Sequence, residues 1–205
     1  MITIIDYNAG NVRSVQRAFS EIGIQSIATS EPTRVLNAER IVFPGVGYAP
    51  SAMEYMRTTG LDTALKRAFQ NGIPILGICL GAQIILDNSE EGNQTCLGLV
   101  PGKALRFRIS NKLLKIPHMG WNEVKVVQPH PLLDGVEERD EFYFANSFYP
   151  QPAEGRYIYA VSEYENYFCS VLGCRNLFAT QFHPEKSGRL GLQLLERFAK
   201  WDGII

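Results

Sequence analysis

Cys79 lies in a short pattern of residue types that is suited to nucleophilic chemistry. The segment Gly77-Ile78-Cys79-Leu80-Gly81 follows the apolar run 73–78 and precedes the helix-like stretch 82–86. A cysteine between two glycines at a strand-to-helix turn is typical of a nucleophile elbow, where the reactive residue has a strained backbone and needs small neighbours. The start of the helix would favour the thiolate, and the Leu80 N–H would point toward a developing oxyanion. On this turn alone, a purely structural cysteine is the alternative.

A catalytic cysteine needs a base, and the sequence holds three histidines. His183 ends the apolar run 177–182 and is followed by Pro184 and Glu185. In extended chain, residues i and i+2 point to one side, so Glu185 can accept the Nδ1 proton of His183 while Nε2 faces the thiol. Pro184 stiffens this connection. The pattern predicts a relay of Cys79, His183 and Glu185, in which thiolate attacks, imidazole transfers the proton and carboxylate orients the imidazole.

The other histidines and cysteines have less informative settings. His130 lies in a turn-like segment and is expected to be structural, whereas His118 is open between a structural and a binding role. Cys96, Cys169 and Cys174 lack a comparable turn and are expected to be packing residues. Because these residue types are scattered without ligand spacing, we expect no metal site and no cofactor.

The composition predicts one soluble globular domain over residues 1–205. Of the 205 residues, 45% are hydrophobic and 20% are charged, which is enough apolar sequence for one sizeable core. A formal net charge of -1 gives no field that would recruit nucleic acid or an anionic membrane. The apolar start 2–5 is too short for a signal peptide or a membrane span, and four sparse cysteines indicate reduced thiols. A cytoplasmic protein is therefore expected.

The elements that must position these residues follow an α/β pattern. Alternating apolar runs and amphipathic stretches predict βα units around a parallel sheet, with strands at 2–5, 25–28, 40–43 and 73–78. Helices are expected from about Asn11, which can cap the first one, and over 61–69. The second half changes to period-two strands at 103–107, 123–127, 141–144 and 157–164, which indicates an antiparallel or mixed portion. A strand over 177–182 and a closing helix around 190–198 complete the pattern.

The elbow and the histidine motif also resemble a known family. Residues 77–83, Gly-Ile-Cys-Leu-Gly-Ala-Gln, together with 182–185, Phe-His-Pro-Glu, are similar to the class I, or triad, glutamine amidotransferases. Within that family the resemblance is nearest to the glutaminase subunits of imidazole glycerol phosphate synthase. The segments that carry this narrower likeness are 6–12, 43–47, 117–122 and 183–187. The resemblance implies a flavodoxin-like three-layer α/β sandwich, with a mainly parallel central sheet and an antiparallel portion in the second half.

The resemblance implies a reaction and a substrate, L-glutamine. Cys79 would attack the side-chain amide, His183 would protonate the leaving ammonia, Glu185 would orient His183, and water would then release glutamate. Further residues implied to contact glutamine or to form the oxyanion site are Gly45, Val46, Gly47, Leu80, Gln83, Asn146 and Ser147. Asn146 departs from the histidine that is frequent in the family, so only the backbone around it is carried over.

The turn Pro44-Gly45-Val46-Gly47 is expected to be adjustable. Two glycines around Val46 permit peptide orientations that other residues avoid, so a backbone N–H could turn toward or away from the oxyanion. An ordinary strand-to-helix turn is the alternative. In the resembled family this loop is thought to link glutaminase activity to acceptor binding on a partner. The segment Tyr48-Ala49-Pro50 after it departs from the family pattern.

The partner implied is a (β/α)8 cyclase subunit, which forms a heterodimer with the glutaminase and uses its ammonia to make imidazole glycerol phosphate and aminoimidazole carboxamide ribotide. The interface residues carried over from matching motifs are Asn11, Trp121, Asn122, Tyr143 and Lys186. An exposed tryptophan would suit an interface anchor, although Trp121 could equally lie in the core.

Other functions remain open at this point. One is a paralogous glutaminase that feeds ammonia to a sugar-aminating synthase of surface polysaccharide biosynthesis. A second is a cysteine peptidase or γ-glutamyl hydrolase of the same broad fold, for which the segment 117–122 and Gln83 would have no use. A third is a non-catalytic interaction subunit.

Overall fold

The computed structural model describes residues 1–8 and 11–204. Its first half contains the strands β1 (Ile2–Ile5), β2 (Ser26–Thr29), β3 (Arg40–Phe43), β4 (Ile75–Ile78), β5 (Asn88–Ser89) and β6 (Gln94–Thr95). The second half contains β7 (Gly102–Arg106), β8 (His118–Glu123), β9 (Lys125–Val126), β10 (Glu141–Asn146), β11 (Phe148–Pro152), β12 (Ile158–Tyr164), β13 (Asn166–Cys174) and β14 (Leu177–Thr180). The helices are α1 (Val12–Glu21), α2 (Pro32–Leu36), α3 (Ala49–Thr59), α4 (Leu61–Gln70), α5 (Leu80–Ile84) and α6 (Gly188–Lys200).

The central sheet has the order β2-β1-β3-β4-β14-β13-β12-β9. Neighbouring strands from β2 to β14 are parallel, and those from β14 to β9 are antiparallel. Two smaller sheets join β8 with β10 and β11 with β7, β5 and β6. The predicted mainly parallel sheet with an antiparallel portion in the second half is therefore confirmed.

Two apolar cores cover the two faces of the central sheet. Ile2 and Ile4 pack with residues of α1 and α6, whereas Ile5 packs with residues of α2, α3 and α4. Alternate residues of a strand point to opposite faces, so β1 contributes to both cores. This arrangement gives the three layers of an α/β sandwich. Among the described residues, no helix is long and apolar enough to span a membrane.

Several predicted boundaries differ from the structure. The strand predicted at 123–127 is wrong: β8 ends at Glu123, β9 begins at Lys125, and the two strands belong to different sheets on either side of the buried Val124. The helix predicted over 82–86 begins two residues earlier, at Leu80. Helix α3 was not predicted, because its buried residues include two alanines and two methionines in place of a row of large aliphatic side chains.

Candidate active site

Cys79 stands at the turn between β4 and α5, in the middle of the parallel sheet. Its backbone has φ 52° and ψ -105°, a conformation that side-chain-bearing residues rarely adopt. The flanking glycines are required by close packing, because a Cβ on Gly81 would lie 2.1 Å from the Phe43 carbonyl oxygen and one on Gly77 would lie 3.0 Å from Ala179 Cβ. The predicted strained elbow is present, although α5 has only five residues and its dipole is correspondingly small.

His183 and Glu185 form a buried pair beside the elbow. Nδ1 of His183 lies 2.7 Å from Oε1 of Glu185, and both side chains are fully buried. The chain between them is not extended as predicted, because Glu185 lies in a 3-10 turn, Pro184–Lys186. The turn still directs both side chains to the same point.

The charge state of His183 follows from its surroundings. Burial acts against a charged imidazole, but the negative charges of Cys79 and Glu185 outweigh it and raise the pKa of His183 to about 10. Nε2 of His183 has no hydrogen-bond partner of full geometry among the described residues. At neutral pH the imidazole is protonated, as a group that gives a proton to a leaving amine must be.

Supporting contacts hold this pair in place. The Asn11 side-chain amide donates to Oε1 of Glu185. Asn11 therefore does not cap α1 with its side chain, as the sequence suggested, and its φ of 79° turns the residue toward the site. Ser187 Oγ donates to the His183 carbonyl at 2.7 Å, and the His183 N–H donates to the Tyr143 carbonyl at 2.9 Å. The relay is thereby tied to both α1 and β10.

A cavity of about 260 Å³ opens next to Cys79. The predicted site residues that line it are Val46, Gly47, Cys79, Leu80, Gln83, Asn146 and Ser147. The amide of Gln83 donates to the Phe148 carbonyl at 2.8 Å, and the amide of Asn146 donates to the same oxygen at 2.9 Å. Both side chains thus shape the wall of the cavity as well as facing it.

Two polar residues of the site, Glu91 and Gln181, were not predicted from the sequence. Glu91 is the one carboxylate among the described residues that line the cavity, and it accepts from the Ala49 N–H at 2.7 Å. Burial raises the pKa of the Glu91 carboxyl, although that hydrogen bond acts in the opposite direction. Gln181 donates from Nε2 to Sγ of Cys79 at 3.5 Å. Its position two residues before His183 is the only local sequence feature that could have indicated it.

The turn around Gly45 is closed over the elbow in this structure. The Leu80 N–H, expected to face an oxyanion, instead donates to the Gly45 carbonyl at 3.2 Å. Gly47 has a φ of 116°, in agreement with an unusual peptide orientation. Gly45 is a glycine for a different reason, since a Cβ there would lie 1.9 Å from Tyr7 Oη.

Trp121 and Asn122, two of the residues predicted to meet a partner, point to opposite faces of β8. Trp121 is 51% exposed and lies opposite Tyr143 on β10, with a ring-centroid distance of 6.1 Å. Lys186 Nζ lies 5.9 Å from the Tyr143 ring centroid. We call Met119, Trp121, Tyr143 and Lys186 the aromatic surface. Asn122 points to the other face of β8, where its amide donates to the Glu163 carbonyl at 2.9 Å.

His118 and His130 are both structural in this fold. The ring of His118 stacks between Tyr164 and Phe144 at centroid distances of 4.1 and 5.0 Å. The His130 Nδ1 accepts from the Leu132 N–H at 3.1 Å. Burial lowers the pKa of each histidine to about 4, so both are neutral at pH 7.

The three other cysteines differ from Cys79 in their surroundings. Burial raises the pKa of Cys96 to about 12, and it also raises the pKa values of Cys169 and Cys174. Their thiols are therefore protonated and poorly nucleophilic at neutral pH.

Fold and site together define a family. The family model described as "Glutamine amidotransferase class-I" matches residues 3–201, and the chain belongs to this family. It is a glutamine amidotransferase enzyme. The likeness extends over almost all of the chain, in agreement with the spread of the motifs from residue 6 to residue 187.

Sequence relatives narrow the comparison within the family. The imidazole glycerol phosphate synthase subunit HisH of Nitratidesulfovibrio vulgaris Miyazaki F is 46% identical over 203 residues, which cover 97% of this chain and 95% of the relative. The HisH subunit of Chromobacterium violaceum is 41% identical over 211 residues, which cover 100% of this chain and 99% of the relative.

Solved structures agree at the level of the fold. A crystal structure of a glutamine amidotransferase superimposes with a TM-score of 0.77 at 15% identity, covering 100% of both chains. A chain of PurLQS from Thermotoga maritima gives a TM-score of 0.71 at 17% identity, covering 97% of both chains.

Proposed function

We propose that this chain is the glutaminase subunit of an imidazole glycerol phosphate synthase, which hydrolyses L-glutamine and passes the ammonia to a cyclase subunit in histidine biosynthesis. The observation that carries the catalytic part is the strained, buried Cys79 beside a charged His183 that is held by Glu185. The near full-length relatives named HisH support the choice of pathway.

The reaction runs in two halves on this relay. The Cys79 thiolate attacks the amide carbon of glutamine, and His183 gives its Nε2 proton to the departing nitrogen, so that ammonia leaves and a thioester remains. Water then attacks the thioester while His183 takes up its proton, which releases glutamate and regenerates the thiolate and the imidazolium. Glu185 stays ionised and keeps Nδ1 of His183 oriented throughout.

The cavity offers a complementary site for the amino-acid end of glutamine. The Glu91 carboxylate matches a substrate ammonium group in charge, and the partial burial of this carboxylate strengthens such a pair. The backbone at Asn146 and Ser147 lies on the cavity wall and supplies polar groups for the substrate carboxylate. Gln83 buttresses this wall through the Phe148 carbonyl.

The bond between Leu80 and Gly45 supports a resting state that needs activation. While the Leu80 N–H is bound to the Gly45 carbonyl, it cannot stabilise a tetrahedral oxyanion. An unpartnered glutaminase in this state wastes little glutamine. We infer that docking of the cyclase subunit opens this turn.

The aromatic surface is the part of the molecule that we assign to the (β/α)8 cyclase. An exposed tryptophan beside a half-buried tyrosine is typical of an interface hot spot. Tyr143 of this surface lies on β10, and its carbonyl accepts from the His183 N–H. The same strand carries Asn146, which lines the cavity. Docking at the surface therefore has a short path to the site.

The test uses the purified chain with and without the cyclase subunit of the same organism and its acceptor nucleotide. We expect slow glutamate release by the chain alone and faster release in the loaded complex, together with imidazole glycerol phosphate. Cys79→Ala should abolish synthesis from glutamine and leave synthesis from added ammonia intact. Rapid peptide hydrolysis by the chain alone, or full glutamine-dependent synthesis by Cys79→Ala, would refute the proposal. Activation by a sugar-aminating synthase instead would reassign the partner.

A further inference from the structure

A buried phenol lies beside the elbow without a hydrogen-bond partner. Tyr7 follows β1, is 2% exposed, and its Oη makes no hydrogen bond to the described residues. Its ring packs on Phe43 at a centroid distance of 5.2 Å, which fixes the direction of the hydroxyl. Buried hydroxyls are almost always paired, so an unpaired one at this position calls for a functional reason.

The hydroxyl of Tyr7 faces the Gly45 backbone and the nucleophile. An atom at the Cβ position of Gly45 would lie 1.9 Å from Oη, so the absence of a side chain brings the phenol directly against this peptide. Burial and the negative charge of Cys79 both raise the pKa of Tyr7, so the group stays a neutral donor.

Opening of the oxyanion site leaves the Gly45 carbonyl without its donor. In this structure that carbonyl accepts from the Leu80 N–H at 3.2 Å. If the peptide plane between Gly45 and Val46 rotates by about half a turn, the Leu80 N–H loses its acceptor. The Val46 N–H then takes the position that the Gly45 carbonyl oxygen occupied. Both donors then face one point. The Gly45 carbonyl, however, would then be buried without a hydrogen bond unless another group donates to it. An unpaired buried carbonyl costs about as much free energy as a lost hydrogen bond.

We propose that Tyr7 is a positioning residue whose hydroxyl donates a hydrogen bond to the Gly45 carbonyl in the active state. The closed state satisfies the carbonyl and leaves the phenol unpaired, whereas the open state pairs the phenol and frees two N–H groups. Of the three atoms nearest to the position that a Cβ on Gly45 would occupy, the phenolic oxygen of Tyr7 is the polar one. This inference rests on the proposed glutaminase function, and it assigns the residue that holds its oxyanion site open.

The variant Tyr7→Phe removes the hydroxyl and keeps the ring. In the complex with the cyclase subunit and its acceptor nucleotide, we expect kcat for glutamate release to fall about tenfold, the effect of one buried hydrogen bond, with KM for glutamine unchanged. The isolated chain, in which the phenol is unpaired, should melt a few degrees higher than wild type. Tyr159→Phe, at a buried tyrosine that packs on His130, is the matched control and should leave kcat unchanged.

The outcomes separate this inference from the proposed function. Wild-type complex without glutamine hydrolysis would refute the function itself. Active wild-type complex with an equally active Tyr7→Phe complex would refute only the role of Tyr7. A loss of kcat accompanied by a lower melting temperature would also refute it, because a merely structural phenol predicts both changes in the same direction.

Discussion

Neutralising Glu185 is the sharpest test of the relay. Its Oε1 accepts from His183 Nδ1 at 2.7 Å and from the Asn11 amide, and the side chain is fully buried. The variant Glu185→Gln retains an oxygen that can accept both bonds but removes the charge that helps to keep His183 protonated. A hydrogen bond to a charged group is worth about 1.5–3 kcal/mol, so we expect kcat to fall about 10- to 150-fold.

The assay for Glu185→Gln is glutamate release by the cyclase complex as a function of pH. Without the carboxylate the pKa of His183 should decrease from about 10, because burial then acts against one remaining negative charge. The decline of activity on the alkaline side should therefore move to lower pH. Synthesis from added ammonia should be unchanged, and Glu154→Gln, at a surface ion pair, serves as the control. Wild-type kcat in Glu185→Gln would refute the assigned role of the carboxylate.

Further predictions concern stability, docking and the elbow. Burial holds the pKa values of His118 and His130 at about 4 in the folded chain, below the ordinary 6.5. The unfolded chain therefore takes up protons at these histidines first as the pH falls, so their contribution to stability is present above pH 6.5. Urea unfolding should show the free energy of unfolding decreasing between about pH 6.5 and 4, by up to about 1.4 kcal/mol per pH unit for each histidine. Trp121→Ala should weaken cyclase binding by about 2 kcal/mol in calorimetry without a lower melting temperature, whereas the exposed Tyr167→Ala should change neither. Gly81→Ala places a Cβ 2.1 Å from the Phe43 carbonyl oxygen. We therefore expect the free energy of unfolding to fall by about 2 kcal/mol or more and glutaminase activity to be abolished. Wild-type activity in this variant would contradict the packing constraint.

The elbow at Cys79 and the pairing of His183 with Glu185 were predictable because their requirements are local. Two glycines around Cys79 and a glutamate two residues after His183 can be recognised in short segments of sequence. The same holds for the parallel strands, whose apolar runs are continuous because both faces are buried.

Residues that act through distant contacts could not be predicted in this way. Tyr7 meets Gly45 only because neighbouring parallel strands, β1 and β3, end at the same edge of the sheet. Asn11 was expected to cap a helix, and its bond to Glu185 spans 174 positions of the chain. Glu91 lies in a short 3-10 turn whose composition resembles any solvated loop. In each case the sequence holds the residue type, and only the fold supplies the neighbour.

The site is assembled from parts of unequal rigidity. Cys79 is anchored in an eight-stranded sheet, whereas the opposite wall of the cavity ends on β10, which pairs with β8 alone in a two-stranded ribbon. A two-stranded ribbon has little cooperative stability of its own. Amide hydrogen exchange should therefore be faster in β8 and β10 than in β4, and should slow when a partner covers Trp121. In the proposed function, the nucleophile Cys79 is therefore held fixed by the sheet, and the cavity wall on β10 is left to be stiffened by the cyclase subunit.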